Sequence, residues 1–130
     1  GKGVVKTPWR EFLIRSGGGV VVKYNANQHY TTDGVSSAVF RSICAEAGVR
    51  VQSFANRSDM AGGSTLGSIA NVLVPVKTVD IGLAQLAMHS AYETAACADC
   101  DHLTQAMTAF YGVGIASDRD GKWTLSGIAQ

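Results

Sequence analysis

The residues whose types and spacing suit binding or catalysis begin with Lys23 and Tyr30. Lys23 lies at the end of an apolar run, where a buried ammonium group needs a partner or a ligand. Tyr30 follows across a polar loop, so the two side chains could line a pocket that receives an anion. The alternative is that Lys23 emerges at the end of a strand with its ammonium group in water.

His89 is a candidate metal ligand or general base. It follows a predicted strand by a few residues, and ligand sites in α/β sheets collect at the carboxyl ends of strands. An imidazole presented there suits zinc binding or proton transfer. The alternative is a structural histidine packed by its neighbours Leu86 and Met88.

A glycine-rich segment at 59–67 precedes a predicted helix start, where free amides favour a carboxylate or a phosphate. The alternative, which the residues favour, is an ordinary glycine-rich turn that needs no ligand. Within it, Ser64 is a candidate nucleophile if His29 or His89 serves as its base, which would make the chain a small metal-independent hydrolase.

The sequence Cys97-Ala98-Asp99-Cys100, followed by His102, permits a metal or redox interpretation. Structural zinc needs four ligands, so the alternative is two small buried residues at a helix junction. The chain has three cysteines, an odd number that indicates reduced thiols rather than a disulfide framework.

The elements that must position these residues alternate between strand and helix. Strands are predicted at 20–24, 49–55 and 76–82, and helices at 35–47, 64–73 and 99–112, the last capped by Asp99 or Asp101. Ser90 and Glu93 match a capping box, which predicts a further helix start, and Asp120-Gly121 predicts a C-terminal hairpin. We therefore expect an α/β fold with a small, mostly parallel sheet and flanking helices. Such a thin sheet indicates a homo-oligomer or descent from a larger domain.

Composition excludes several classes of protein. The 130 residues carry a net charge of +1 without blocks of like charge, so nucleic acid and anionic membranes are not expected partners. We expect a cytoplasmic protein, since no apolar run suits a membrane span or a secretory signal. The glycines at 17–19 predict a linker, which makes 1–18 an N-terminal arm, 19–112 the α/β segment and 113–130 a C-terminal extension.

Three segments in register resemble the aspartyl aminopeptidases, which are dinuclear zinc exopeptidases that remove N-terminal Asp or Glu from peptides. These segments are 22–30, 56–67 and 78–90, and the likeness covers about 19–112. The resemblance implies part of a zinc-exopeptidase-like catalytic domain and a peptide substrate with an acidic N-terminal residue. It also implies that His89 is a zinc ligand, that Lys23 pairs with the acidic side chain of the substrate, and that Tyr30 steadies the reacting carbonyl.

The chain departs from the family pattern in the rest of the metal site. Residues 1–18 contain neither His nor Asp, and the glutamates Glu11, Glu46 and Glu93 include no adjacent pair to supply the family's general base. We therefore expect an aminopeptidase-related chain that lacks most metal ligands and binds zinc weakly. The alternative from another class is a non-catalytic, self-associating remnant of the larger domain.

Overall fold

A computed structural model of the chain describes residues 14–25, 32–56 and 76–127. The elements, in chain order, are β1 (Val20–Asn25), α1 (Gly34–Glu46), β2 (Val51–Asn56), β3 (Asp80–Gly82), β4 (Gln85–Leu86), β5 (Thr94–Ala95), α2 (Cys97–Gly112), β6 (Gly114–Ser117) and β7 (Trp123–Ser126). Tyr30, Ser64, His29 and the predicted helix at 64–73 lie outside the described residues. The predictions made for them remain predictions. In the described ranges, no helix is both long and apolar enough to cross a bilayer.

The core forms where one face of β1 meets the two helices. Val20, Val21 and Val22 are all buried, which confirms the prediction of a strand covered on both faces. Val20 and Val22 pack with residues of α1 and α2, among them Phe40 and Ala106. Since side chains alternate along a strand, Lys23 lies on the opposite face, with Val21.

The three-stranded sheet has the order β2-β1-β3. β1 and β2 are parallel, as predicted, and α1 connects them. β3 is shorter than predicted and pairs antiparallel with β1, so the prediction of parallel units is wrong for this strand. The apolar pattern indicates which strands are buried, but it carries no information about strand direction. The α/β class itself is confirmed.

Two predicted helix starts are corrected. Residues 90–93 form a turn that leads into β5, although their side chains do make local bonds: the Tyr92 amide donates to Ser90 Oγ at 3.1 Å, and the His89 amide donates to Glu93 Oε1. The next helix, α2, begins at Cys97. Its N-cap is Ala96, without a side-chain hydrogen bond, so neither Asp99 nor Asp101 caps it.

The C-terminal hairpin is confirmed. β6 and β7 pair antiparallel, with Ser117 opposite Trp123, and Gly121 lies in the turn with a φ of +80°. At the other end of the chain, the glycines predicted to be a linker are bonded to the fold. The amides of Gly17 and Gly19 both donate to the side chain of Asp99.

Gly19 shows why this segment requires glycine. Its φ is +104°, and a Cβ built there would lie 2.2 Å from the carbonyl oxygen of Arg50. Any larger residue would therefore push the segment away from β2. The tight fit places the 14–19 segment against the sheet.

Candidate functional site

Lys23 lies on the central strand, beside a carboxylate on the neighbouring strand. The β1–β3 register places Lys23 opposite Asp80, and Lys23 Nζ lies 4.0 Å from Asp80 Oδ1. The two side chains retain 30% and 14% of their exposure, respectively, so the pair is half-buried rather than in free solvent. The lysine head group therefore lies beside a carboxylate of the neighbouring strand, partly shielded from water.

Gly82 of β3 leaves room for the side chain of Lys23. A Cβ built on Gly82 would approach Lys23 Cε to 3.0 Å and Nζ to 3.4 Å, which is tighter than ordinary van der Waals contact. The absence of a side chain at position 82 therefore lets the lysine lie across the strand. On its other flank, Lys23 is in register with Phe54 of β2.

Asp80 is the partner that sequence reasoning missed. Its amide donates to Thr32 Oγ1 at 2.7 Å, which fixes the start of β3. Its Oδ2 atom is buried and has no hydrogen-bond partner among the residues that the structure describes. A buried carboxylate oxygen of this kind is costly unless a cation is near, which Lys23 provides. The signal in the sequence was an acidic residue between two apolar residues, Val79 and Ile81, of a predicted strand.

A polar network on the face of the sheet opposite Lys23 connects β1 to α1 and β2. The Tyr24 hydroxyl and Ser37 Oγ are hydrogen-bonded, and Arg41 Nε lies 3.3 Å from both oxygens. Arg41 also donates to Ser53 Oγ on β2. These bonds hold the carboxyl-terminal half of β1, which carries Lys23, against its neighbours.

His89 lies in the exposed turn between β4 and β5. Its φ is +68° and that of Ala87 is +54°, a left-handed conformation that residues other than glycine seldom adopt. The turn is held by its own hydrogen bonds, since the Ser90 amide donates to the Ala87 carbonyl at 3.0 Å and Glu93 accepts from the His89 amide. Strained backbone retained by such bonds is typical of functional sites.

The structure contradicts the packing alternative for His89. Leu86 and Met88, its proposed neighbours in a core, are 69% and 61% exposed. His89 is itself exposed. Its side chain is therefore presented to solvent by the turn between β4 and β5.

The residues do not form a complete metal site by themselves. Within residues 14–25, 32–56 and 76–127, no group of three or more His, Cys, Asp or Glu side chains is placed to hold a metal ion. Cys97 and Cys100 are free and exposed, which contradicts their interpretation as buried residues. His102 instead approaches Asp99, with 3.7 Å between Nδ1 and Oδ1.

An apolar cavity of about 390 Å³ lies between α1, the segment before β3, α2 and the C-terminal hairpin. Val39, Phe40 and Met107 line it, together with Ile115 and Trp123 of the hairpin. Lys77 lies at this cavity and forms a 2.6 Å ion pair with Asp33. This second lysine is therefore distinct from Lys23 in both its partner and its surroundings.

Comparison with known proteins shows the family of the chain. Residues 10–111 match the model described as "Aminopeptidase I zinc metalloprotease (M18)". The chain belongs to the M18 aminopeptidase family. The match contains both Lys23 and His89, and it begins within the segment predicted to be an N-terminal arm. The M18 match ends before the hairpin, whose side chains nevertheless line the cavity.

The M18 relatives are much longer than this chain. A probable M18 family aminopeptidase 2 from Ectopseudomonas mendocina is 52% identical over 93 residues, which cover 72% of this chain and 22% of the relative. The corresponding protein from Pseudomonas aeruginosa is 49% identical over 94 residues, with the same two shares covered. The chain thus spans about a fifth of the length of the curated relatives it matches.

Solved structures, one of them of an aminopeptidase, share the fold. The chain superposes on a chain in the cryo-EM structure of a complex of Ape4 and Nbr1 with a TM-score of 0.71 and 32% identity, covering 74% of this chain and 18% of that one. It also superposes on the crystal structure of yeast aminopeptidase 1 with a TM-score of 0.64 and 25% identity, covering 77% and 22%. These matches confirm an α/β segment of an M18 fold.

Proposed function

We propose that this chain supplies the acidic-substrate pocket and one zinc ligand of an aspartyl-aminopeptidase-type centre, which releases N-terminal Asp or Glu from peptides. Lys23 binds the side-chain carboxylate of the substrate, Tyr30 steadies the scissile carbonyl and His89 binds zinc. M18 family membership supports peptide substrates and zinc in general terms. The finer assignment depends on the positions of Lys23 and His89.

The observation that carries the proposal is the placement of Lys23. It is a half-buried cation on the central strand, 4.0 Å from Asp80 and fitted across a glycine. A lysine presents a compact positive charge, which favours a carboxylate over an uncharged amide of the same size. Partial burial strengthens that preference, because solvent screens a half-buried charge less than a fully exposed one.

His89 supports the metal part of the proposal. Zinc binds a neutral imidazole, and it requires the ring to be held in one orientation. The bonds among Ala87, Ser90 and Glu93 fix the backbone that carries this ring. In a complete centre, His89 would be one of the residues that hold zinc, and the metal would supply Lewis-acid chemistry for peptide hydrolysis.

The remaining ligands and the general base come from beyond the residues that the structure describes. We therefore predict that the isolated chain binds zinc weakly and shows little or no turnover. A single neutral imidazole in a solvated turn gives far less affinity than a site with three or four ligands.

Zinc titration by calorimetry tests this assignment with a matched pair of histidine variants. His89→Asn should remove most of the weak zinc binding, whereas His102→Asn should leave it unchanged, because His102 faces Asp99. Hydrolysis of Asp-, Glu- and Leu-amide substrates is measured in parallel, with and without zinc. Unchanged zinc affinity in His89→Asn would count against the ligand assignment, and efficient release of Asp by the zinc-loaded chain would show that the centre is already complete.

A second candidate function is self-association without catalysis. The apolar cavity and the exposed rings of Tyr92 and Tyr111, which are 87% and 77% exposed, favour an apolar contact between copies. Sedimentation velocity tests it directly. A concentration-dependent dimer or larger species is the expected result, and a compact monomer at all concentrations contradicts it.

A further inference from the structure

The first turn of α2 carries two cysteines three positions apart. Cys97 is the first residue of the helix, Cys100 is the fourth, and both are free and exposed. Helical residues at this spacing share a face. The dimensions of an α-helix place their Cα atoms about 5 Å apart, within the range that a disulfide spans.

The pair lies at the start of α2, beside the first backbone amides of the helix. The N-cap Ala96 provides no side-chain hydrogen bond to this turn. The first amides of a helix have no intrahelical acceptor and favour negative charge nearby. Cysteine pairs with this spacing at a helix start are a setting in which thiols become reactive.

Cys44 differs from the two cysteines of α2 in its burial. It is fully buried in the core, and burial raises the pKa of its thiol to about 11, although nearby Arg41 acts in the opposite direction. A thiol in this position is inert in exchange reactions, since the thiolate is the attacking species. The three cysteines therefore divide into one protected and two accessible thiols.

We propose that Cys97 and Cys100 form a reversible dithiol–disulfide pair that exchanges with low-molecular-weight disulfides such as oxidised glutathione. The Cys97 thiolate attacks one sulfur of the glutathione disulfide, forming a mixed disulfide and releasing one glutathione thiolate. The Cys100 thiolate then attacks the Cys97 sulfur, which closes the protein disulfide and releases the second glutathione. Two electrons pass from the cysteine pair to glutathione, and the two thiol protons end on the released glutathione molecules.

The surroundings favour this pair over a metal site. Structural zinc needs four ligands, and the described parts of the chain contain no cluster of three or more suitable side chains. Asp99, which lies between the two cysteines, is fully buried and accepts hydrogen bonds from Gly17 and Gly19. Those bonds hold the turn in place while its two sulfur atoms remain accessible.

Glutathione redox buffers applied to the full chain test the proposal. After alkylation, mass spectrometry should find an intramolecular Cys97–Cys100 disulfide and a reduced Cys44. The effective concentration of the pair in the folded chain should exceed that of the urea-unfolded chain by about tenfold or more, because the helix holds the thiols together. Circular dichroism in each buffer verifies that the helices persist.

Single variants identify the two partners. Cys97→Ser and Cys100→Ser should each stop at a mixed disulfide with glutathione, whereas Cys44→Ala should behave as the parent chain. The proposal is overturned if the folded and unfolded chains give equal effective concentrations, if Cys44 enters the disulfide, or if oxidation abolishes the helical signal. It is also overturned if the parent chain forms only mixed disulfides with glutathione and no Cys97–Cys100 disulfide.

Discussion

Helix α1 begins with a closed set of local bonds, whereas the first turn of α2 is bonded to a distant part of the chain. The Asp33 side chain accepts from the Ser36 amide at 2.7 Å, and Ser36 Oγ accepts from the Asp33 amide at 2.9 Å. Asp99 instead accepts from Gly17 at 2.7 Å and from Gly19 at 2.9 Å, eighty or more positions away. Acidic residues at two helix starts thus perform different tasks.

The comparison shows what local sequence can and cannot determine. A capping bond forms between residues three apart, so the sequence alone can specify it. A carboxylate that accepts from a remote glycine loop depends on how the chain folds back, which no spacing rule reports. The two carboxylates should also contribute differently to the free energy of unfolding, because Asp33 is half exposed and Asp99 is fully buried.

The largest expected effect comes from removing the buried carboxylate. Asp99→Ala should lower the free energy of unfolding by about 3 kcal/mol, because the two glycine amides lose their acceptor in a buried site. Urea denaturation measures this change. Asp101→Ala, an exposed neighbour in the same turn, is the matched control and should cost less than about 0.5 kcal/mol. Equal losses of unfolding free energy in the two variants would contradict the conclusion that the bonds from Gly17 and Gly19 make Asp99 more important than an exposed residue.

Acid should weaken the fold mainly through Asp99. Burial alone would raise the pKa of Asp99, but the bonds from Gly17 and Gly19 and the nearby His102 hold this pKa below its ordinary value. A carboxyl group whose folded pKa is lowered contributes stability above its unfolded pKa, near 4, and loses it as the pH falls toward the folded value. The unfolding free energy should therefore fall below about pH 4. Asp99→Asn should flatten this dependence, and an undiminished acid slope in that variant would contradict the assignment.

A smaller effect is expected at the start of α1. Lys77 and the Ser36 amide lower the pKa of Asp33, yet this carboxylate is half exposed, so solvent screens much of the ion pair. Asp33→Ala should cost about 1 kcal/mol, the ordinary value of a helix cap. Asp33→Ser should recover most of that loss in thermal unfolding, because serine caps equally well. If serine recovers nothing, the Lys77 pair rather than the cap carries the stability.

The sequence predicts the elements better than it predicts their contacts. The valine run of β1, the periodicity of α1 and the turn at Asp120-Gly121 each depend on near neighbours, and all were predicted. The direction of β3 and the anchoring of Gly17 depend on long-range packing and were missed. Ser90 and Glu93 show that a local pattern can also mislead. Their side chains accept backbone hydrogen bonds, from Tyr92 and His89 respectively, but no helix begins there.

For the candidate site, the sequence identified the side chains but not the partner that sets their electrostatics. Lys23 and His89 were recognised from motifs, and both lie within residues 10–111, the part of the chain that matches the M18 family model. Asp80 was not recognised, because its role follows from the register between β1 and β3. A charge pair across two strands becomes visible only when their alignment is known.

Ligand discrimination by Lys23 tests the central claim most directly. Chemical-shift titrations compare the binding of aspartic acid α-amide with that of asparagine α-amide, which differ only in the charged carboxylate. The parent chain and Lys77→Met, whose altered lysine pairs with Asp33 instead, should both prefer the acidic ligand by about tenfold, equivalent to about 1.4 kcal/mol. Lys23→Met should lose that preference. An unchanged preference in Lys23→Met, or its loss in Lys77→Met, would contradict the assignment of the acidic-substrate pocket.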